Sequence, residues 1–298
     1  MSVILLAGGT GLIGRRLTEL LSEQDDEVRV LTRSPREKGQ FAWDPAAGAY
    51  DPAAFEDVDQ VINLAGAGIA DKRWTAARKR VIVESRVQSA RTLRDAFTST
   101  GHFPKAYISA SAIGYYGNSG EQPMEETDAP VDDSFMVRCC QAWEAAADEV
   151  AALGIRTVKL RIGIVLSAEG GALAEFAKPM RFGIGGYFGD GKAWYSWIHL
   201  EDVCRMFVWA VKNEGVEGVF NAVSPNPVRN KEMVKSIAEA MHQPVLMAPG
   251  PAFAMRLLLG EMAAVVLNSN RVSPEKALKA GFTFRYPHLT EALTAIFA

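Results

Sequence analysis

Cysteine is scarce in this chain, with three in 298 residues, at positions 139, 140 and 204. Three thiols cannot all pair, and two of them are neighbours. A disulfide framework is therefore not expected, and a reducing compartment, the cytoplasm, is the expected setting. Histidine is equally thin. The four at 102, 199, 242 and 288 show no ligand spacing, and the adjacent cysteines sit too close for an ordinary two-thiolate arrangement, so no metal site is expected. Neither sign of charge dominates: 32 Lys and Arg against 35 Asp and Glu leave −3, which removes the electrostatic case for nucleic acid or an anionic membrane as main partner. The most apolar late stretch, 252–267, is broken by Arg256, Gly260 and Glu261. It reads as a buried or interface helix rather than a membrane span, and the interface reading leaves a homo-oligomer open. With a strand beginning at Val3, no targeting segment is expected ahead of it. Internal repeats and low-complexity tracts are missing as well.

What is present is a hydrophobic content of 48%, enough for a large core, and a glycine-punctuated turn near the start. Val3-Ile4-Leu5-Leu6 reads as a strand, Gly8-Gly9-Thr10-Gly11-Leu12-Ile13-Gly14 as a turn, and Arg15 to Leu21 as the continuing helix. Glycines at 8, 11 and 14 allow a tight turn, close approach to a pyrophosphate, and close packing of helix on strand. The free N–H groups and positive end of that helix favour bound phosphate.

Strand-like and helical runs then alternate, the pattern of a parallel sheet covered on both faces. Strands are expected at 27–32, 59–66, 105–111 and 157–166, with helical periodicity from Ala77 to Phe97 and from Ala142 to Leu153. Residues around Trp43-Asp44-Pro45 read as loop, as does the glycine- and aromatic-rich stretch 167–197. A helix opens near Ile198 and a further strand is expected at 218–223. Glu125-Glu126 with Asp128 reads as a solvated acidic loop, and Trp143 as a core residue. The expected fold is α/β: a Rossmann-type, doubly wound parallel sheet with a smaller, mostly helical C-terminal domain. Residues 1–166 would form the dinucleotide-binding domain, joined by the strand and helix near 198–223. Residues 167–298 would form the substrate side and a C-terminal module.

The end of the second strand bears on cofactor choice. An NAD-preferring site commonly places an acid there to accept from both ribose hydroxyls. This chain has Thr32-Arg33-Ser34. A guanidinium cannot replace that acceptor but pairs with a 2′-phosphate, so NADP(H) is expected, with Arg33 as determinant and Thr32 or Ser34 donating alongside. The other reading of Arg33 is a solvated turn residue.

These residues resemble the extended, atypical short-chain dehydrogenase/reductases, the NAD-dependent epimerase/dehydratase superfamily. The resemblance rests on the turn at 8–14, Asn63-Leu64-Ala65-Gly66, Ser109-Ala110-Ser111-Ala112 with Tyr116-Gly117, Leu160 to Val165, and Trp197 to Val203. Trp143-Glu144-Ala145-Ala146, the 185–199 stretch and Ala280 to Phe284 narrow it to the uncharacterised "epimerase family protein" branch, with its appended C-terminal domain of unknown function. By position, the resemblance puts Gly8, Gly11, Leu12, Ile13, Gly14, Thr32, Arg33, Leu64, Ala65 and Gly66 at the cofactor. It adds Arg86 as a basic helix position used for NADP, and Ser109 and Val165 flanking the nicotinamide side.

The resemblance also exposes a departure. Such enzymes use a Ser or Thr after the fourth strand and a Tyr-x-x-x-Lys pair on the next helix, where lysine and the cofactor ribose lower the tyrosine pKa. Ser111 matches the serine and is expected to polarise the reacting oxygen. Aligning the helix on Glu144 places Met136 at the tyrosine and Cys140 at the lysine. Tyr116, Tyr195 or His199 are the candidate replacement acids; the plainer readings are packing for Tyr116 and a helix-start hydrogen bond for His199. Cys140 is either a reactive thiolate or a buried inert thiol. Arg161, Trp194, Trp197 and His199 are expected on the substrate side. The leading expectation is an NADP(H)-binding oxidoreductase or epimerase-like enzyme acting on an unidentified small molecule. The alternative is a non-catalytic NADP(H)-sensing protein.

Overall fold

The computed structural model describes residues 2–298. Strand β1 (Val3–Ala7) shows why a sheet forms here: Ile4 and Leu6 enter one buried cluster while Leu5 and Ala7 enter another, so the period-two alternation feeds a core on each face. Helix α1 (Leu12–Ser22) packs Leu17 and Leu21 into the first cluster, beside Val203 and Phe207 of α5 (Leu200–Lys212). On the other face, α2 (Ala76–Thr100) brings Leu93 and Phe97, and α3 (Phe135–Ala151) brings Ala147 and Val150.

The remaining strands of the first half are β2 (Glu27–Thr32), β3 (Gln40–Asp44), β4 (Ala49–Tyr50), β5 (Gln60–Asn63) and β6 (Ala106–Ala112). With the strands Arg156–Ile162 and Gly218–Ala222 they make an eight-stranded sheet. Its order is 218–222, 156–162, β6, β5, β1, β2, β3, β4, parallel throughout except the last pair. The chain leaves β1 toward β2 and returns to its other side at β5. This is a switch point, and a crevice opens beyond the carboxyl ends of β1 and β5. Among the described residues, no helix is long and apolar enough to cross a membrane.

Several expectations are corrected. Gln40–Asp44 is a strand, because Trp43 is buried against the sheet edge. The run 157–166 is two strands broken at Gly163, where a Cβ would stand 2.4 Å from the Ser196 carbonyl oxygen. Its second half, Ile164–Ser167, pairs with Trp197–His199 in a separate small sheet. Helix α3 begins at Phe135, not near Ala142.

The stretch 167–197 is not open loop either. It contains α4 (Ala172–Met180), and Phe176, Tyr195 and Trp197 pack with α6 (Asn230–Ala240) and the C-terminal helix Leu289–Phe297. The segment 252–267 is not a buried helix. It folds as α7 (Ala252–Leu259), a turn at Gly260 and a short helix Ala264–Leu267, with Phe253, Leu257 and Leu258 exposed.

Candidate functional site

The glycine turn fixes the floor of the crevice. Gly8 has φ +84°, and a Cβ there would lie 2.8 Å from the Leu64 carbonyl carbon. At Gly14 a Cβ would lie 2.4 Å from the Gly8 oxygen. Only bare glycine lets β1, β5 and α1 meet this closely. Gly11 caps α1 with no side-chain hydrogen bond, and the first turn carries no acid. The free N–H groups therefore lie where Gly11, Leu12 and Ile13 line a cavity of about 380 Å³.

That cavity runs past Leu64 to the ends of β6 (Ala110, Ser111, Ala112) and to Ile162, Gly163 and Val165; α3 closes it with Met136, Cys139, Cys140 and Trp143. Arg86 of α2 lines it too. Its Nη1 donates to the carbonyls of Ala67 (3.0 Å) and Ile82 (2.9 Å), and its guanidinium sits 4.9 Å from the Trp143 ring centre. No carboxylate among the described residues pairs with it, and burial pulls its pKa down. A cation held this way favours an anionic ligand. Trp143 Nε1–H, buried at the same wall, has no acceptor. Trp143 thus belongs to the cavity as well as the core, and its packing role conceals this in the sequence.

Of the expected cofactor positions, Gly8, Gly11, Leu12, Ile13, Gly14, Leu64, Arg86 and Val165 come together around the cavity. Thr32 ends β2 and Arg33 and Ser34 follow it; none of the three lines the cavity, and Arg33 is exposed and free of ion pairs among the described residues. Ala65 and Gly66 follow β5; a Cβ at Gly66 would press on the Arg86 guanidinium at 3.1 Å. Ser109 is corrected: it does not line the cavity, because its hydroxyl is buried and donates to the Ala110 carbonyl.

Behind the cavity lies a buried polar network. Ser111 and Arg161 are register partners on adjacent strands, so their side chains share a face. Glu144 of α3 reaches that face and takes both: Arg161 Nε and Nη2 donate to it at 2.8 and 2.9 Å, and Ser111 Oγ at 2.7 Å. Arg161 lies 3.4 Å from the Tyr115 ring centre and donates from Nη1 to the Tyr116 hydroxyl at 3.0 Å. The Tyr116 hydroxyl donates to Asn221 Oδ1 at 2.7 Å, and the Asn221 backbone N–H donates to Glu126 at 2.8 Å. Glu126 is therefore tied into this network rather than merely solvated.

This network revises the expected chemistry. Tyr116 is fully buried, does not line the cavity, and has its pKa pushed up to about 12, chiefly by burial. It is a packing and network residue, not a cavity acid. Arg161 is 3% exposed and occupied by Glu144, so it does not face a substrate. His199 caps α5, its Nδ1 accepting from the Glu201 backbone N–H at 3.0 Å, with its ring against Tyr286. Burial lowers its pKa, which keeps the neutral ring needed for that acceptance.

Trp194 Nε1 donates to Glu121, Trp197 Nε1 to the Asn226 carbonyl, and the Tyr195 hydroxyl to the Val266 carbonyl. None of the three lines the cavity. Ser111 does, but a carboxylate held bidentately by arginine is acceptor-only, so the Ser111 proton is committed to Glu144. It is not free to polarise a carbonyl.

Cys139 and Cys140 line the cavity, yet burial pushes both thiols up, furthest for Cys140. Both side chains are buried, which favours the inert-thiol reading. A thiol titration of the native protein at pH 7–8 should show no fast phase. Rapid modification of two thiols before unfolding would contradict this.

A model of the NAD dependent epimerase/dehydratase family matches residues 4–222. The chain belongs to this family. A second model, a domain of unknown function (DUF1731), matches residues 251–296. The "Epimerase family protein YfhF" of Bacillus subtilis is 38% identical to this family member over 300 residues, covering 99% of this chain and 98% of that one. Among solved structures, human epimerase family protein SDR39U1, determined with NADPH, superposes with a TM-score of 0.89 at 30% identity, covering 99% of both chains. A nucleoside-diphosphate sugar epimerase from Corynebacterium glutamicum gives 0.82 at 29% identity, covering 99% of this chain and 58% of the other. The expected Rossmann-type fold and the family resemblance both stand.

Proposed function

We propose that the protein is an NADP(H)-binding oxidoreductase-type enzyme of a small molecule, with a proton path different from the Tyr–Lys pair of related enzymes. One observation carries the reading: the uncapped N-terminus of α1 and the unpaired Arg86 converge on one cavity at the switch point of the sheet. Gly8, Gly11 and Gly14 leave room for a pyrophosphate, the N–H groups of α1 receive it, and Arg86 supplies positive charge. Arg33 at the end of β2, with no acid beside it, supports the phosphorylated cofactor. The human neighbour determined with NADPH supports the same choice. When bound, the nicotinamide supplies hydride transfer.

Met136 and Cys140 at the cavity wall provide no charged or acidic group in place of tyrosine and lysine. That observation favours a second reading, a protein that binds NADP(H) without turnover. Stereospecifically deuterated NADPH offered with a carbonyl panel separates the two, since only the enzyme passes deuterium to product.

Nucleotide choice has its own test. Calorimetric titration of Arg33→Ala should weaken NADPH by roughly tenfold or more while leaving NADH nearly unchanged, as expected for losing one charge-assisted pair. Equal effects on both nucleotides would leave Arg33 with no part in cofactor choice.

A further inference from the structure

The polar groups of the cavity are unevenly shared. Arg86 is the one charged side chain among the described residues that line it, and on the proposed function, which this inference rests on, that charge serves the cofactor. Around Ser111, what remains is Ala110, Ala112, Met136, Ile162 and Val165, together with the protonated Cys140 thiol. A nucleoside-diphosphate sugar would bring two negative charges and several hydroxyls to this wall, and the described residues that line it offer them no second cation and no second hydroxyl.

Ser111 itself is polarised in a particular sense. Its one proton points at Glu144 Oε1, 2.7 Å away, and Glu144 cannot release it cheaply because both its oxygens also receive Arg161. A serine hydroxyl has one donor and two lone pairs. With the donor spent behind the wall, what it presents to the cavity is an acceptor. A ligand carbonyl opposite it would meet lone pair against lone pair, whereas a ligand hydroxyl would be paired.

We propose that this cavity takes a neutral, largely apolar alcohol rather than a sugar nucleotide, and that Glu144 is a positioning residue that makes Ser111 a hydrogen-bond acceptor toward it. Glu144 acts only through Ser111; it holds the hydroxyl rotor while Arg161 holds Glu144.

The test compares two rings of one shape, cyclohexanol and cyclohexanone, by ligand-observed NMR. Each is titrated against the free protein, and then in its non-reacting combination: the alcohol with NADPH, the ketone with NADP⁺. Cyclohexanol should bind about tenfold more tightly than cyclohexanone, the worth of one hydrogen bond against an unpaired buried acceptor. Ser111→Ala, which leaves the Glu144–Arg161 pair in place, should bring the two within about twofold of each other. UDP-glucose should not displace cyclohexanol.

Preference for the ketone, a ratio unmoved in Ser111→Ala, binding of neither ring, or displacement by UDP-glucose would each overturn the proposal. Glu144→Leu combined with Arg161→Met, which removes the acceptor behind Ser111 and strands no buried charge, should abolish or invert the preference by freeing the Ser111 proton; an unchanged preference counts against the positioning role. Failure of NADPH to bind would defeat the cofactor reading alone, because the ring comparison on free protein still decides this one.

Discussion

Arg161→Met is expected to cost about 3–5 kcal/mol of folding stability, read from the midpoint of a urea transition. The substitution keeps a comparable apolar stem but removes all three donors that Arg161 gives to Glu144 and Tyr116. Glu144, 6% exposed, is then a buried carboxylate with Ser111 as its one side-chain donor. The cost comes from stranding that charge, not from the worth of the pair itself. Combining Arg161→Met with Glu144→Leu should therefore recover much of the loss. Lysine at 161 should fall in between, since a single ammonium cannot span both carboxylate oxygens. If Arg161→Met unfolds at the same urea concentration as the parent, the network is not holding strand 156–162 to α3.

Gly14→Ala is expected to abolish useful NADPH affinity, a loss beyond about 100-fold, because the phosphate-facing N–H groups must all move together. The added Cβ would lie 2.4 Å from the Gly8 oxygen and 2.6 Å from the Gly9 Cα, and both are backbone atoms that cannot swing aside. The start of α1 has to withdraw from the turn. Gly11→Ala makes the control: its Cβ meets the Gly8 oxygen only at 3.4 Å, an ordinary contact. That variant should fold normally, so any affinity it loses reports on the cavity side of the turn. Titrating both variants with NADPH, alongside circular dichroism, separates a distorted turn from a blocked one. Tight NADPH binding by Gly14→Ala would contradict the placement of the cofactor.

Much of the site is legible in the sequence where one residue type has one physical use. Glycine at 8 and 14, after an apolar strand and at the start of an uncapped helix, answers to close backbone approach and little else, and the crevice lies where those residues put it. Arg33 is readable for a similar reason, since its position at a strand end follows from local order alone. The polar network is not. Arg161 within Leu160-Arg161-Ile162 signals a buried cation that needs a carboxylate, but its partner lies 17 residues away on α3.

Glu144 serves in the sequence only to align its helix, because helical periodicity does not show which strand a face will meet. Its pairing with Ser111 depends on the register of β6 against strand 156–162, a tertiary fact. Aromatic density misleads in the opposite direction. Tyr195 and Trp197 among glycines suggest an open substrate loop, yet their rings are buried in a core shared with α6 and the last helix. Exposure runs the other way at Phe253, Leu257 and Leu258, where a strongly apolar segment lies at the surface.

The most direct test of NADP(H) binding at the switch point is a titration of the native protein with NADPH and with NADH, exciting tryptophan and following nicotinamide emission. Trp143 stands at the cavity wall beside Arg86, so a nicotinamide nucleotide bound there should accept its energy. The expected result is saturable transfer with NADPH, reduced when Trp143 is replaced by Phe, and at least roughly tenfold weaker binding of NADH. Absence of saturable transfer with either nucleotide, or equal affinities for both, would contradict it.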